Sequence, residues 1–306
     1  MKKIKEGIYK FDRESLSTLN FKNHVSKLKK VAENLERLRS RICFHTSTES
    51  TPQHMFICFE ANAKVEVSTH TNGESFLINS GAGHYRFYSD KGEILHDIRM
   101  SPATNEGTFY AFIKEGVPHR FFALTKNVTA HEVWHSFFST ESTSFPVGGL
   151  MDTANKMTSE LISKQPLVKN FKTYFIKDKN KSNMYYFESL DRVCEISFED
   201  ILNLNNENKK HFFLTPSKKM SQNNYDDLLE RICILKPKEE LEIFLDNTIL
   251  FLILGKVEIK NLKDNFILEN GKNISVGPFK KKKIKIFNCK DTISIIHLTN
   301  ERAIKI

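Results

Sequence analysis

The chain has 306 residues, 40% hydrophobic and 27% charged, and its 46 Lys and Arg against 37 Asp and Glu give a formal charge of +9. At about 100–200 residues per domain, this composition predicts two globular units and excludes a disordered or fibrous chain. The positive excess is mild and spread along the sequence, so it permits anionic ligands without calling for nucleic acid.

The five cysteines, Cys43, Cys58, Cys194, Cys233 and Cys289, are odd in number and widely spaced, with no CxxC pair. That argues against a disulfide framework or a thiolate zinc site and fits reduced thiols in the cytoplasm. The start, MKKIKEGIYKFDRESL, is basic but has no apolar stretch behind it and does not read as a signal peptide. The most apolar run, Thr248 to Leu254, is too short to span a bilayer and suits a buried strand.

In chain order, Leu28, Val31, Leu35 and Leu38 recur at spacings of three and four, which predicts a packing helix over 25–40. From Arg41 the pattern changes to short alternating runs such as MFICFE, ESFLINS, HYRFYSD, TFYAFIKE and AHEVWHSFF. Turn signals separate them, among them Asn72-Gly73, Gly81-Ala82-Gly83, Asp90-Lys91-Gly92 and Glu115-Gly116. Eight such strands predict an antiparallel sandwich or barrel over 41–146, behind an N-terminal helical segment at 1–40. Pro146, Gly148 and Gly149 open a linker over 147–170. A second, less regular β unit follows at 171–306, with turn signals such as Asn270-Gly271.

The chemistry concentrates in two stretches. Ser68 to Gly81 reads STHTNGESFLINSG, and Gly107 to His119 reads GTFYAFIKEGVPH. His70 and Glu74 flank the Asn-Gly turn, so a hairpin can turn both side chains inward, and His119 can enter from a neighbouring strand. Two imidazoles and a carboxylate suit a divalent transition metal and leave coordination positions open.

These stretches resemble the two motifs of the cupin superfamily. In the first, HxH is followed after three or four residues by Glu and six later by Gly; the second is Gly, five or six residues, then PxGxxH. His70, Glu74 and Gly81 match the first, and Gly107, Gly116 and His119 match the second. Ser68 replaces the first histidine and Lys114 the proline, so one usual ligand is missing. The resemblance implies a mainly β fold: a cupin (jelly-roll) barrel with an N-terminal helix, followed by a degenerate cupin-like domain. It also implies a divalent metal (Zn, Fe, Mn or Ni) on His70, Glu74 and His119, and a homodimer.

Arg39 to His45 (RSRICFH), Gln53 to Ile57 (QHMFI) and Phe87 to Gly92 (FYSDKG) extend the resemblance to the WbuC-type cupin metalloproteins over about residues 25–146. That family is associated with bacterial surface polysaccharide synthesis. The resemblance implies a sugar or nucleotide-sugar substrate, with the metal as Lewis acid in an isomerase, epimerase or other sugar-modifying reaction. A non-catalytic sugar-binding cupin and an iron-dependent dioxygenase are the alternatives.

Gln53 and His45 are candidate substrate contacts under that alignment; a surface or turn role is the alternative. Arg86 and Tyr88 share a strand face with His84 beside the expected site, and an inward Arg86 would suit a carboxylate or phosphate. In AHEVWHS, His131, Val133 and His135 alternate with Glu132 and Trp134, so one set alone can face inward. Lys280 to Lys283 with Lys285 lacks the aromatic interleaving that stacks bases and reads as a solvated strand edge. No general base can be assigned from the sequence.

Overall fold

The structure is a computed structural model that describes residues 2–10, 19–45, 47–63, 65–70, 73–89, 91–104, 107–135, 171–177, 183–189, 193–206, 212–214, 230–245, 248–260, 265–269, 273–276 and 282–300. The N-terminal half runs β1 (Lys2–Lys5), β2 (Ile8–Lys10), β3 (Leu19–Asn20), α1 (Phe21–Glu33), β4 (Arg39–Cys43), β5 (Gln53–Phe59), β6 (Glu74–Ser80), β7 (Gly83–Tyr88), β8 (Ile94–Met100), β9 (Thr108–Ile113), β10 (His119–Ala123) and β11 (Val128–Trp134). There follow β12 (Phe171–Lys177), β13 (Asn183–Ser189), β14 (Val193–Ser197), α2 (Phe198–Asn206), β15 (Phe212–Leu214), β16 (Glu230–Leu235), β17 (Glu240–Leu245), β18 (Thr248–Leu254), β19 (Lys256–Lys260), β20 (Asn265–Glu269), β21 (Asn273–Val276), β22 (Lys282–Asn288) and β23 (Ser294–Asn300).

Strand alternation decides which core each side chain joins. On β5, Met55, Ile57 and Phe59 share a face; opposite them stand Cys43, Arg41 and Arg39 on β4 and Glu132, Ala130 and Val128 on β11. The same core takes Phe76 and Ile78 from β6, Tyr85 and Phe87 from β7, and Phe121 from β10. The strand order is β1-β2-β4-β5-β11-β6-β9-β8-β7-β10, so β5 and β10 are far apart along the sheet. Yet the Phe59 and Phe121 rings meet, their centroids 5.2 Å apart. The sheet therefore curls over and encloses its own apolar core.

The other face of the same strands builds a second core. Phe56, Leu77, Tyr110 and Phe112 pack there with Ile232, Ile234, Phe251 and Ile295 from the C-terminal half. The two halves also exchange strands: β14 pairs with β9, and β3 pairs with β21. Within the C-terminal half, the sheets β16-β23-β18-β21-β3 and β17-β22-β19-β20 are filled by an apolar cluster that includes Leu241, Leu250, Val257, Ile259, Ile284 and Ile296.

The N-terminal segment differs from the expected helix over 25–40. The α-helix is Phe21–Glu33, and the chain then tightens, because the amides of Asn34, Leu35 and Leu38 bond to carbonyls three residues back. Leu38, at φ 50°, closes the turns that follow the helix, and Arg39–Cys43 then pair as a strand. Ahead of the helix, KIKEGIYK folds into the antiparallel hairpin β1–β2. Gly7 sits at its turn at φ +70°, where a Cβ would press on Leu35 and lie 3.2 Å from the Arg39 carbonyl oxygen. The linker over 147–170, Asn72, Asp90, Asn270-Gly271, Lys280 and Lys281 lie outside the described residues.

Candidate metal centre

Glu74 opens β6, His119 opens β10, and His70 lies four residues before Glu74. Their ligand atoms all lie within 4.8 Å of one another, and all three side chains are buried. Glu74 Oε2 is 2.5 Å from His70 Nε2 and 3.4 Å from His119 Nε2. The same oxygen has no hydrogen-bond partner, although it is sealed from solvent. A carboxylate oxygen left bare between two imidazole nitrogens is costly unless something positive lies among them. The donor set therefore fits a divalent ion.

Neighbouring groups fix the ligands in place. His119 Nδ1 donates to the Val117 carbonyl at 2.7 Å, which leaves its Nε2 lone pair facing Glu74. The Tyr85 hydroxyl donates to Glu74 Oε1. Burial would raise the Glu74 carboxyl, but the His70 and His119 imidazoles beside it outweigh that and hold the group well below the usual carboxylate range. Burial, then the Glu74 charge, pushes the Tyr85 phenol well above its ordinary value, so Tyr85 stays a neutral donor. The Trp134 ring lies 4.7 Å from that of His70.

The three residues line a cavity of about 600 Å³ that Arg39, Arg41 and Glu132 also line. Glu132 stands on the barrel-facing side of β11, opposite Phe76. Burial first, and the Glu74 charge second, push its carboxyl up to about 8. The two carboxyls of the cavity are thus pushed in opposite directions, Glu74 down and Glu132 up, a separation that suits proton transfer.

The residues offered by the sequence as substrate contacts take other places. Tyr85 and Phe87 are in the barrel core, so Arg86, Tyr88 and His84 on the alternate positions of β7 face away from it. Arg86 pairs with Asp97 at 2.8 Å and lies over the Phe122 ring, and His84 reaches the other oxygen of Asp97 at 2.7 Å. Tyr88 is buried on that outer side near Arg86 and Arg120. The Gln53 amide donates to the Thr48 carbonyl, and His45 Nδ1 lies 3.3 Å from the His54 carbonyl. None of the four lines the cavity.

His131 and His135 point toward the C-terminal half, the side opposite Glu132. There Glu230 accepts from His135 at 2.8 Å, His297 at 2.5 Å, Ser75 at 2.6 Å and Tyr110 at 3.3 Å. His131 Nδ1 is 3.1 Å from His297 Nδ1. Sequence reading missed Tyr85, Glu230 and the inward Arg39 and Arg41. The RSRICF alternation, which puts Ser40, Ile42 and Phe44 on the other core, was a usable signal for the arginines; Glu230 had no local signal.

The family described as a domain of unknown function, DUF6016, matches residues 21–100. Among curated proteins, none matches the chain. Among solved structures, a mutant of salicylate 1,2-dioxygenase from Pseudoaminobacter salicylatoxidans is 10% identical with a TM-score of 0.52, covering 95% of this chain and 85% of its own. A cupin 2 conserved barrel domain protein from Leptotrichia buccalis is 8% identical with a TM-score of 0.49, over 96% and 99% of the two chains. A mutant of Bacillus subtilis oxalate decarboxylase is 13% identical with a TM-score of 0.39, over 84% and 72%. At such identities the likeness speaks to fold alone, and the dioxygenase carries that argument. The chain is a two-unit cupin-fold protein: a cupin barrel with a His-Glu-His cluster able to hold a metal, then a degenerate cupin-like unit. No helix among the described residues is long and apolar enough to cross a membrane.

Proposed function

We propose that the chain is a metal-dependent cupin in which His70, Glu74 and His119 hold one divalent ion, Zn, Fe, Mn or Ni, in the barrel of residues 41–146. The observation that carries this reading is the buried Glu74 Oε2, bare of hydrogen bonds between two imidazole nitrogens. When bound, the ion supplies Lewis-acid polarisation of a substrate oxygen. The chain's own residues do the rest: Tyr85 orients the Glu74 carboxylate, Trp134 and Phe76 wall the cavity, and Glu132 holds a proton that it can give to a bound ligand or take from one.

The WbuC-type order of motifs supports a sugar or nucleotide-sugar of bacterial surface polysaccharide synthesis as substrate, handled by a cytoplasmic homodimer. Residues 171–306 then serve packing and assembly, in keeping with the apolar filling of that half. The two-histidine, one-carboxylate set favours a second reading, an iron-dependent dioxygenase, because that set is the usual one for non-haem Fe(II) and O₂.

The test is metal content by plasma mass spectrometry on full-length protein purified without a metal-binding tag, in wild type, His70→Ala and His119→Ala. Near-stoichiometric metal in the wild type and its loss from both variants is the expected result. A wild type that takes up none of the four ions ends the metalloprotein reading and leaves a sugar-binding module. Iron together with ligand-dependent O₂ uptake selects the dioxygenase.

A further inference from the structure

Arg39 and Arg41 are set in an unusual place for cations. They stand on the face of β4 opposite Phe59 and Ile57, which belong to the apolar core of the first barrel, and both line the cavity of the metal cluster. Both are partly buried, and Arg41 is left incompletely paired. Arg41 Nε is buried with no hydrogen-bond partner, and its Nη1 finds only the Met55 sulfur at 3.5 Å. Among the described residues, no carboxylate oxygen comes within the 4.0 Å of an ion pair to either guanidinium. Burial, and next the charge of Arg41, lower the Arg39 guanidinium.

The acids whose fields reach Arg39 are Glu132 and Glu66. Neither carboxylate comes within ion-pair distance of the Arg39 guanidinium, and Glu66 is exposed. A guanidinium nitrogen buried without a partner, as Arg41 Nε is, is costly to keep unless a ligand completes it. The planar fork of Arg matches carboxylate and phosphate oxygens in bidentate fashion.

We propose that Arg39 and Arg41 form an anion site on the wall of the metal barrel, so that the ligand of this cavity is a small molecule with a carboxylate or phosphate at one end and an oxygen that reaches the His70, Glu74 and His119 cluster at the other. The second half of this statement rests on the metal reading above; the anion site stands on the arginines. A cavity of about 600 Å³ accommodates a ligand of this kind. A neutral sugar would leave the guanidiniums unpaired, whereas a sugar phosphate, nucleotide-sugar or sugar acid would pair them.

The experiment is isothermal titration calorimetry of the full-length protein at low ionic strength, in metal-free and zinc-loaded forms, with inorganic phosphate, malonate and glucose as probes. Expected is saturable binding of phosphate or malonate, with glucose at least about tenfold weaker. Arg39→Gln and Arg41→Gln should each weaken the anion about tenfold or more, as loss of a charge-assisted bond does. Arg41→Lys, which keeps the charge, should fall between, and Lys126→Gln, at an exposed lysine paired with Glu33, should match the wild type. Circular dichroism of each variant establishes that it is folded. Phosphate alone, or malonate alone, supports the site and identifies the anion.

Folded wild type that binds neither anion overturns the proposal. So does anion binding that is lost in His70→Ala yet unchanged in both Arg→Gln variants, since the metal alone would then hold the anion. Arginine-dependent binding in a protein that takes up no metal keeps the anion site and removes the metal reading, so the two failures are distinct.

Discussion

Ser68 occupies the position at which the cupin motif carries its first histidine, and the structure gives that exchange a geometry. Its amide and carbonyl exchange two hydrogen bonds with those of His119, each 3.0 Å, as an isolated antiparallel bridge. Residues paired in this way present their side chains on one face of the ladder, and Ser68 lines the same cavity as His119. A hydroxyl there is a poor ligand for a divalent ion, so the cluster stops at three. Ser68→His should place a third imidazole beside Glu74 and tighten metal binding by about tenfold or more, roughly 1.4 kcal/mol. Competition against a chromophoric chelator measures this directly. An affinity equal to or weaker than wild type would show that the side chain at 68 is not aimed at the ion. His70 and His119 could be picked out as candidates from the sequence because each sits in a short local pattern, His70 four residues before Glu74 and His119 directly after Gly116, Val117 and Pro118. Arg86 and Tyr88 were not, because alternation offers two faces and the aromatic pair Tyr85 and Phe87 takes the inner one.

At the scale of elements, the strands of the first barrel could be read from their alternation, whereas the pairing of β3 with β21 and of β14 with β9 could not. Those pairings join segments far apart in the chain, and nothing in two or five residues specifies a distant partner. The same holds for Glu230 on β16, which accepts a hydrogen bond from Ser75 on β6, 155 residues earlier. Ser75 directly follows Glu74, so the C-terminal unit grips the strand that carries the carboxylate of the candidate metal cluster. Burial would raise the Glu230 carboxyl, but the charge of His297 and the hydrogen bonds of His135 and His297 hold it well below the ordinary range. Removing one member of such a buried set strands the others. Glu230→Ala should therefore cost about 3–5 kcal/mol of stability, read from urea unfolding of the full chain. A loss under about 1 kcal/mol would mean that the imidazoles find new partners, and the network would then not be what joins the halves.

Across the whole molecule, the apolar core between the two cupin units encloses this network, the histidines beside it and the His54–Thr299 hydrogen bond. The His131 ring meets Phe251 and His297 of the second unit, and its Nε2 is buried without a partner. Burial first, then the charge of His297, lowers His131 from 6.5 to about 3. The unfolded chain therefore binds a proton below pH 6.5 that the folded chain refuses until about pH 3. Stability from this residue is complete above pH 6.5 and is lost progressively as pH falls toward 3. Glu132 acts with the opposite sign over part of the range. Its carboxyl, raised from 4.5 to about 8, favours the folded state at low pH and loses that advantage as pH rises through 8. A wild-type profile alone mixes the two. Comparing wild type with His131→Leu cancels the Glu132 contribution, which is common to both, and isolates the histidine. The variant should gain on the wild type as pH falls from 6.5 to 4.5, a window that closes before the depressed Glu230 carboxyl of either protein takes up its proton. Urea unfolding at half-unit steps across that window measures the gap. A difference that stays constant with pH would place His131 in contact with water and dissolve the dry interface that makes the two cupin units one folding body.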